Sequence, residues 1–301
     1  MSKTSAAEHS SWWPSKHRTN TILTLALPII GGMLSQNLMN LIDTKMVSEL
    51  GDYALAAVGM GSFVNFLSIA FITGLAVGVQ TLAARRFGAK KISETAIPLN
   101  GGLLVAMCLA IPTSLMLWFT IPLFFPLLIK DPKVVEMGVP YLQARACAIL
   151  AVGMNFAFRG FWNGINQSTV YLRTIVVIHI TNVFFNWVLI FGHLGSPALG
   201  ATGAGIASAI ATYVGTLYYF IQGLQRARNM GFLKGLPDRK TLVSTLRLGI
   251  PTATQQFFFA GGMTLLFWII GQIGTPELAA SNVLVTLFLV GILPAMGFGL
   301  A

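Results

Sequence analysis

The sequence predicts an all-α integral membrane protein that folds as a helical bundle. Of its 301 residues, 55% are hydrophobic and only 9% are charged, whereas soluble domains carry about 25% charged residues. The apolar residues form runs of about 20 residues or more, which is the length a helix needs to cross a bilayer. Runs of this length favour spanning helices over the shorter strands of a β-barrel.

Eight apolar segments predict eight spanning helices, which follow a polar tail at residues 1–19. The predicted spans cover residues 20–48, 54–83, 97–126, 136–158, 170–192, 199–224, 242–272 and 278–301. Several exceed the length of a perpendicular span, so tilt or extension beyond the lipid is expected. Cys108 and Cys147 fall inside predicted spans and imply no disulfide framework.

The net charge of +10 is distributed unevenly, and this distribution predicts the orientation. Most of the basic residues lie in the tail and in the loops after even-numbered spans. By the positive-inside rule this side is cytoplasmic, which places the N-terminus there, and no nucleic-acid partner is expected. These residues are Lys3, Lys16, Arg18, Arg85, Arg86, Lys90, Lys91, Arg159, Arg173, Arg226, Arg228, Lys234, Arg239, Lys240 and Arg247.

The first span carries an unusual polar face. Gln36, Asn40 and Asp43 recur at i, i+4 and i+7, so they line one side of the helix. A carboxyl group in hydrocarbon costs at least about 2.5 kcal/mol, which makes Asp43 a candidate functional residue. The alternative is a structural Asp near the helix end. Pro28 lies 15 residues earlier and can bend the helix.

The fifth span carries a matching polar face. His179, Asn182 and Asn186 are spaced i, i+3 and i+7, and opposite the first span they would line a hydrated cavity. The alternative for the asparagines is interhelical hydrogen bonding, and for His179 a satisfied buried imidazole. Arg145, in the fourth span, is expected to be an interfacial or loop-tethering cation, with a substrate ligand as the alternative.

The chain also contains an internal repeat. A shift of 223 residues places residues 23–78 over 246–301, so that Pro28 meets Pro251 and Gly51 meets Gly274. This offset covers six helices, an even number, so the two copies would point the same way, as in the parallel halves of some transporters. The second copy has only two helices, which predicts a truncated sequence lacking about 150 residues by symmetry.

Several stretches resemble the multidrug and toxic compound extrusion (MATE) transporters. They include LALPIIGGMLSQNLMNLIDTKMVSELGDYALAAVG, GLAVGVQTLAARRFGAKK, YLQARACAILAVGMNFAFRGFWNGINQS, TNVFFNWVLIFGHLGSPALGATGAGIASAIATY and LRLGIPTATQQFFF. The resemblance implies a MATE-like bundle of two six-helix lobes around a cleft. It assigns residues 20–226 to the N-terminal lobe, 227–241 to a cytoplasmic linker and 242–301 to the first two helices of the second lobe.

The resemblance also implies roles for individual residues. Asp43 matches the acidic residue implicated in cation coupling, and Pro28 and Pro251 match hinge positions. Asn182 and Asn186 match cavity-lining positions. Where drug exporters of the family commonly carry a glutamate in the seventh helix, this chain has Phe259, with Gln255 and Gln256 nearby as possible substrate-facing groups.

The expected function is therefore secondary active efflux of organic, often cationic, compounds in exchange for protons or sodium ions. The alternatives are a lipid-linked precursor flippase of the same superfamily and an inert, non-transporting membrane fragment. The chain has no Walker A loop, HExxH or CxxC motif, so an enzyme, a metal site or a cofactor other than the coupling ion is not expected. A monomer in the bacterial inner membrane is expected, with small organic substrates and the bilayer as its partners.

Overall fold

The computed structural model describes residues 16–129 and 131–273, together with the isolated positions 284, 288, 291, 292, 295 and 299. The described ranges contain eight α-helices and no strand, so the all-α prediction is confirmed. The helices are α1 (Lys16–Ser48), α2 (Asp52–Gly88), α3 (Ile97–Leu128), α4 (Pro132–Cys147), α5 (Ile149–Gly164), α6 (Ser168–Phe191), α7 (Gly200–Gln222) and α8 (Arg239–Ile273). The last predicted span, 278–301, lies almost wholly outside the described residues.

Five of these helical segments are long and apolar enough to cross a membrane: Ile22–Ser48, Asp52–Gly88, Ile92–Leu128, Ser168–Phe191 and Gly200–Met230. The short helices α4 and α5 meet at a bend of 45° and together form a sixth candidate span. The span predicted at 136–158 corresponds to this bent pair, which begins at Pro132 and ends at Gly164 and so extends beyond the prediction at both ends. At the bend, the Ala148 N–H donates to the Arg145 carbonyl at 3.0 Å, a 3₁₀-type bond that interrupts the α-helical ladder.

Local sequence explains where several helices begin and end. The Asp131 carboxylate accepts a hydrogen bond from the Lys133 N–H at 2.9 Å, and Pro132 occupies the first turn of α4. Gly192 ends α6 in the left-handed conformation, with φ of 77°, which glycine adopts without strain.

Helix α2 is the centre of the bundle, and small residues let other helices approach it closely. Gly74 and Gly78 form a G-xxx-G pair that faces Thr245 and Gly249 of α8. A Cβ atom added at Gly249 would lie 2.7 Å from the Gly74 carbonyl oxygen. On the other side, Gly160 of α5 packs against the α2 backbone at Ala76. In a membrane the lipid is as apolar as the helices, so the hydrophobic effect does not drive helices together. Close packing between small residues then contributes to their association.

One end of the bundle is closed by the connection between α7 and α8. This connection contains a π-helical turn at Gly223–Ala227 and a 3₁₀ turn at Arg228–Met230. The Asn100 side-chain nitrogen, from the first turn of α3, donates to the Gly231 carbonyl at 3.0 Å and to the Gly235 carbonyl at 2.9 Å. Its oxygen accepts from the Leu233 N–H at 3.0 Å. A single buried side chain thus holds three backbone groups of the connection.

The start of α8 is fixed to the same end. Thr241, in the first turn of α8, donates its backbone N–H to the Asp238 carboxylate at 3.2 Å, and its hydroxyl accepts from Arg86 of α2 at 2.9 Å. Hydrogen bonding from Thr241 holds the pKa of the Asp238 carboxyl below its usual range. Asp238 therefore acts as the N-cap of α8.

Candidate functional site

A cavity of about 910 Å³ lies among α1, α2, α4, α5, α6 and α7. This volume is in the range of pockets that bind drug-sized molecules. One part of its wall is apolar and aromatic, with Met33, Met39, Phe66 and Phe156. The wall also carries a set of polar or aromatic hydroxyl side chains, which are Gln36, Asn37, Asn40, Asp43, Thr44, Ser62, Asn65, Tyr141, Arg145, Asn155, Arg159, Tyr171, His179, Asn182, Ser208, Thr212 and Tyr219.

Asp43 of α1 is held by two asparagines of α6. The Asn186 side-chain nitrogen donates to Asp43 Oδ1 at 2.7 Å. When the Asn182 amide is oriented with its nitrogen toward Asp43, it donates to the same oxygen at 2.8 Å, and its own oxygen accepts from the Ser208 hydroxyl at 3.2 Å. Both asparagines are buried. They reach one carboxylate because residues four apart lie on the same face of a helix.

The other residues predicted for the cavity lie around this group. Gln36, Asn40 and His179 line the cavity with Asp43 and Asn182. Asn186, also predicted to line it, is not among the lining residues; it is buried and donates to Asp43. His179 Nδ1 shares a hydrogen bond of 2.8 Å with the Ser35 hydroxyl, and its Nε2 is buried without a partner. His179 and Met39 also border a second, mostly apolar groove of about 650 Å³ between α1 and α6.

The predicted hinge and α8 residues lie elsewhere. Pro28 lies within α1, which continues as one helix from Lys16 to Ser48. Pro251 lies within α8. Gln255 and Gln256 do not line the cavity, which α8 does not border. Their role as substrate-facing groups and the hinge role of both prolines remain predictions.

Two arginines line the cavity, and the predicted position of one of them is wrong. Arg159, predicted in a loop after the fourth span, lies within α5 with its guanidinium 5.2 Å from the centre of the Tyr171 ring. Arg145 lies in the last turn of α4 and lines the same cavity. A sequence signal for the position of Arg159 does exist. Asn155 and Arg159 are four residues apart, the same spacing as Gln36 and Asn40 on the polar face of the first span.

Among the described residues, no basic side chain forms an ion pair with the Asp43 carboxylate. Within the part of the chain that the structure describes, Lys45–Glu49 is the only ion pair within 4.0 Å, and it faces away from the cavity on the exposed side of α1. The described residues contain no cluster of three or more His, Cys, Asp or Glu side chains that could hold a metal ion. The oxygen atoms available near Asp43 include Asn186 Oδ1, which is buried and without a partner.

Helices long and apolar enough to cross a membrane, packed around an internal, partly polar cavity of ligand size, define the chain as a helical membrane protein. The family model MatE matches residues 28–188, more than half of the chain. The chain therefore belongs to the MatE family.

Individual relatives and structures are consistent with this membership. A probable multidrug resistance protein NorM from Pseudomonas putida is 30% identical over 87% of this chain and 57% of its own length. A protein of the same description from Rhizobium meliloti is 28% identical over 92% of this chain and 60% of its own. A MOP superfamily transporter from Pyrococcus furiosus has a similar fold, with a TM-score of 0.82 at 24% identity over 93% of this chain and 62% of its own. The chain spans about three fifths of the length of these proteins.

Proposed function

We propose that the chain provides the first lobe of a secondary active transporter that exports organic compounds in exchange for protons or sodium ions. The observation that carries the proposal is the Asp43 carboxylate, held by Asn182 and Asn186 at the wall of a ligand-sized cavity. An ionisable group within a membrane-spanning helix is expensive and usually functional. Two relatives are described as probable multidrug resistance proteins, which supports organic compounds as the cargo.

The proposed mechanism couples ion uptake at Asp43 to the packing of α1 against α6. With its carboxylate charged, Asp43 accepts short hydrogen bonds from the asparagine amides. A proton on Asp43 would weaken these charge-assisted bonds. A sodium ion would be held by the Asp43 carboxylate and by Asn186 Oδ1, since small hard cations take oxygen ligands. Either event changes the preferred position of α1, and Pro28 is the point at which that helix can bend.

The proposed setting is the bacterial inner membrane, with the N-terminus in the cytoplasm. The basic loop between α2 and α3 and the connection before α8 lie at the same end of the bundle, because Arg86 donates to Glu94 and Thr241 across them. This charge distribution supports the cytoplasmic assignment of that end.

The test is transport by the protein in inverted membrane vesicles under an imposed proton or sodium gradient. The cytoplasmic face of these vesicles is outside, so the readout is uptake of a fluorescent organic cation into the vesicle lumen. Asp43→Asn is expected to abolish gradient-driven transport while leaving expression and helix content intact. Lys45→Gln is the matched control, because Lys45 is an exposed charge on the same turn of α1. Gradient-driven transport that persists in Asp43→Asn would contradict the coupling role.

A second candidate is transport of a lipid-linked precursor, and the arginines favour it. Such cargo carries phosphates, and the cavity wall contains two arginines, Arg145 and Arg159. In reconstituted vesicles, this function predicts movement of a polyprenyl phosphate analogue between leaflets. Movement of that analogue without efflux of the organic cation would favour this candidate over drug export.

A further inference from the structure

Polar side chains on α5 and α7 continue past the cavity toward one end of the bundle. On α5 they recur at i, i+4 and i+8, at Asn155, Arg159 and Asn163, so they share one face of the helix. On α7, the Thr216 hydroxyl donates to Asn155 Oδ1 at 2.9 Å, and Gln222 is the last residue of the helix. We call these five residues the α5–α7 route.

The two helices reach the same end of the bundle. Beyond the contact of α5 with α7 at the Asn155 level, Phe158 stacks on Tyr219 with ring centres 5.2 Å apart, so the pairing advances in the same direction along both helices. Asn163 and Gln222 lie further on, in the last turns of α5 and α7. This end is closed by Phe232 of the connection before α8, whose ring centre is 5.8 Å from that of Phe158. It is the end proposed to face the cytoplasm.

Three buried polar atoms near this end have no hydrogen-bond partner: Asn163 Oδ1, Gln222 Oε1 and Trp162 Nε1. Their side chains are only 7%, 8% and 0% exposed, respectively, so bulk solvent does not satisfy these atoms. Buried polar groups without a protein partner are normally satisfied by internal water. The α5–α7 route is therefore suited to hold water between the cavity and the cytoplasmic end.

Arg159 lies where the α5–α7 route leaves the cavity. It lines the cavity and precedes Asn163 by one turn. Its guanidinium is 5.2 Å from the centre of the Tyr171 ring of α6, and Tyr219 of α7 lies within electrostatic range of both. Among the described residues, no carboxylate forms an ion pair with Arg159 within 4.0 Å. An uncompensated positive charge thus stands at the start of the route.

A water-filled route beside the ion site threatens ion exchange, an argument that rests on the proposed function. An ion that passed from Asp43 to the cytoplasm without cargo would dissipate the gradient. Fixed positive charges, including arginines, exclude protons and other cations from hydrated pores. The exclusion is stronger inside a protein than in water, because the effective dielectric constant is lower. Arginine keeps its charge at any physiological pH.

We infer that Arg159 is an electrostatic barrier that prevents the coupling ion from leaking along the α5–α7 route. The Tyr171 ring holds the guanidinium at the junction of cavity and route, and Asn163 and Gln222 provide the polar groups that the barrier separates from the cavity. Arg159 thus determines how tightly ion movement is coupled to cargo, and this role does not depend on which cargo the cavity takes.

The test is ion leak through the complete chain in proteoliposomes that contain no organic substrate. A potassium gradient with valinomycin sets an inside-negative potential, and dyes in the lumen report the entry of protons or sodium ions. The wild-type chain is expected to be about as tight as empty liposomes. Arg159→Gln is expected to raise entry of the coupling ion at least about tenfold, because the positive charge is removed. Arg159→Lys retains the charge and should keep most of the tightness.

Two further variants separate the α5–α7 route from a general loss of structure. Arg173→Gln, an exposed arginine of α6 outside the cavity, is the matched control and should not leak. Asn163→Leu should leave the wild-type chain tight, but in the Arg159→Gln background it should remove most of the leak, because an apolar side chain interrupts the polar route. Circular dichroism and size-exclusion chromatography check the folding of each variant.

The hydration of the route can be measured without any variant. In hydroxyl-radical footprinting of the wild-type chain, protection is expressed relative to the unfolded chain. Trp162 and Phe125 are both 0% exposed, but Phe125 belongs to an apolar cluster. Trp162 should therefore be less protected than Phe125, because internal water lies beside its indole nitrogen.

Three results would overturn the inference: a folded Arg159→Gln variant as tight as the wild-type chain, equal leak in Arg159→Lys and Arg159→Gln, or equal protection of Trp162 and Phe125. A leak that Asn163→Leu does not reduce would place the passage elsewhere and also refute it. The leak assay contains no cargo, so persistence of transport in Asp43→Asn would refute the coupling role of Asp43 while leaving the barrier at Arg159 standing.

Discussion

At the scale of single residues, the arrangement of Asp43 shows how a charge can be kept among apolar helices. Its oxygen is 2.7 Å from the Asn186 nitrogen, and the donor is a neutral amide on a neighbouring helix. Hydrogen bonds to a charged acceptor are shorter and stronger than those between neutral groups. The carboxylate is thereby stabilised without a close cation, which leaves it able to accept an ion.

We expect Asn186→Ala to lower the stability of the protein through this interaction. The substitution removes one donor from a charged, half-buried carboxylate, which costs about 1.5–3 kcal/mol for a hydrogen bond to a charged group. Thermal unfolding in detergent measures the effect. The loss of stability caused by Asn186→Ala should be smaller in an Asp43→Asn background, because residue 43 then carries no charge for the Asn186 amide to stabilise. Equal losses in both backgrounds would show that Asn186 acts through packing alone.

The residues around Asp43 were predictable from the sequence because helical spacing is a local property. Asn182 and Asn186 are four apart, as are Gln36 and Asn40. Three of them line one cavity, and Asn186 donates to Asp43 at its wall. The loop position predicted for Arg159 is wrong, because a charged residue does not always mark the end of a span. The energetic cost of placing the Arg159 charge inside a helix bundle is reduced by the Tyr171 ring. This contact joins two helices, so no local sequence pattern predicts it.

At the scale of helices, the close contact of α2 with α8 depends on glycines, Gly74 and Gly78 in α2 and Gly249 in α8, which have no side chain to hold the backbones apart. We expect Gly74→Ala to disturb this contact, because the added Cβ would overlap the Gly249 carbonyl oxygen and a backbone cannot move aside cheaply. The variant should lose thermal stability by about 1–3 kcal/mol, the usual cost of overpacking.

The matched control for this substitution lies on the same helix. A Cβ atom at Gly59 of α2 would meet nothing within 4 Å, so Gly59→Ala should be neutral or stabilising by about 0.5–1 kcal/mol, because alanine is the better helix former. Thermal unfolding of both variants in detergent is the measurement. Equal stability of Gly74→Ala and Gly59→Ala would contradict the close approach of α2 and α8.

The helix positions were largely predictable, since long apolar runs locate spans well. The exception is the pair α4 and α5, which was predicted as one span at 136–158. The break at Ala148 carries neither proline nor glycine within the bend itself, and the chain there is ACAIL. Helices α4 and α5 both pack against α2, α3 and α7, and these contacts between distant segments are not encoded in the local sequence.

The connection before α8 provides a further prediction at this scale. Asn100→Ala removes the partner of three backbone groups, at Gly231, Leu233 and Gly235, and unsatisfied groups cost about 1–3 kcal/mol each. We expect faster tryptic cleavage at Lys234 and Arg239. Asn229→Ala, at an exposed position of the same connection, is the control. Unchanged cleavage in Asn100→Ala would mean that other contacts hold the connection.

At the scale of the whole molecule, the predicted orientation can be tested with single cysteines. Lys90 and Lys133 are both exposed and lie on either side of α3. In a background with Cys108→Ser and Cys147→Ser, a membrane-impermeant maleimide should label Lys90→Cys only from the cytoplasmic face and Lys133→Cys only from the opposite face. Labelling of both from one face would contradict α3 as a span.

The sequence predicts a two-lobe organisation, but the described residues include only the first helix of the second lobe as a continuous element. The repeat pairs Pro28 with Pro251, and both lie inside long helices, α1 and α8. The partner of α2 in the second copy would be the span at 278–301, outside the described ranges. Comparing the sequence with itself detects such a repeat, but it does not predict how the two copies pack against each other.

The glycine contact of α2 with α8 also has a mechanical consequence. Gly249 is ten residues from the start of α8 and 24 residues from its end at Ile273, which correspond to arms of about 15 Å and 36 Å at 1.5 Å per residue. A tilt of about 10° around this point would move the long arm's tip by about 6 Å and the short arm's tip by less than about 3 Å. Helix α8 is thus a lever of unequal arms, in which the Ile273 end moves more than twice as far as the Arg239 end.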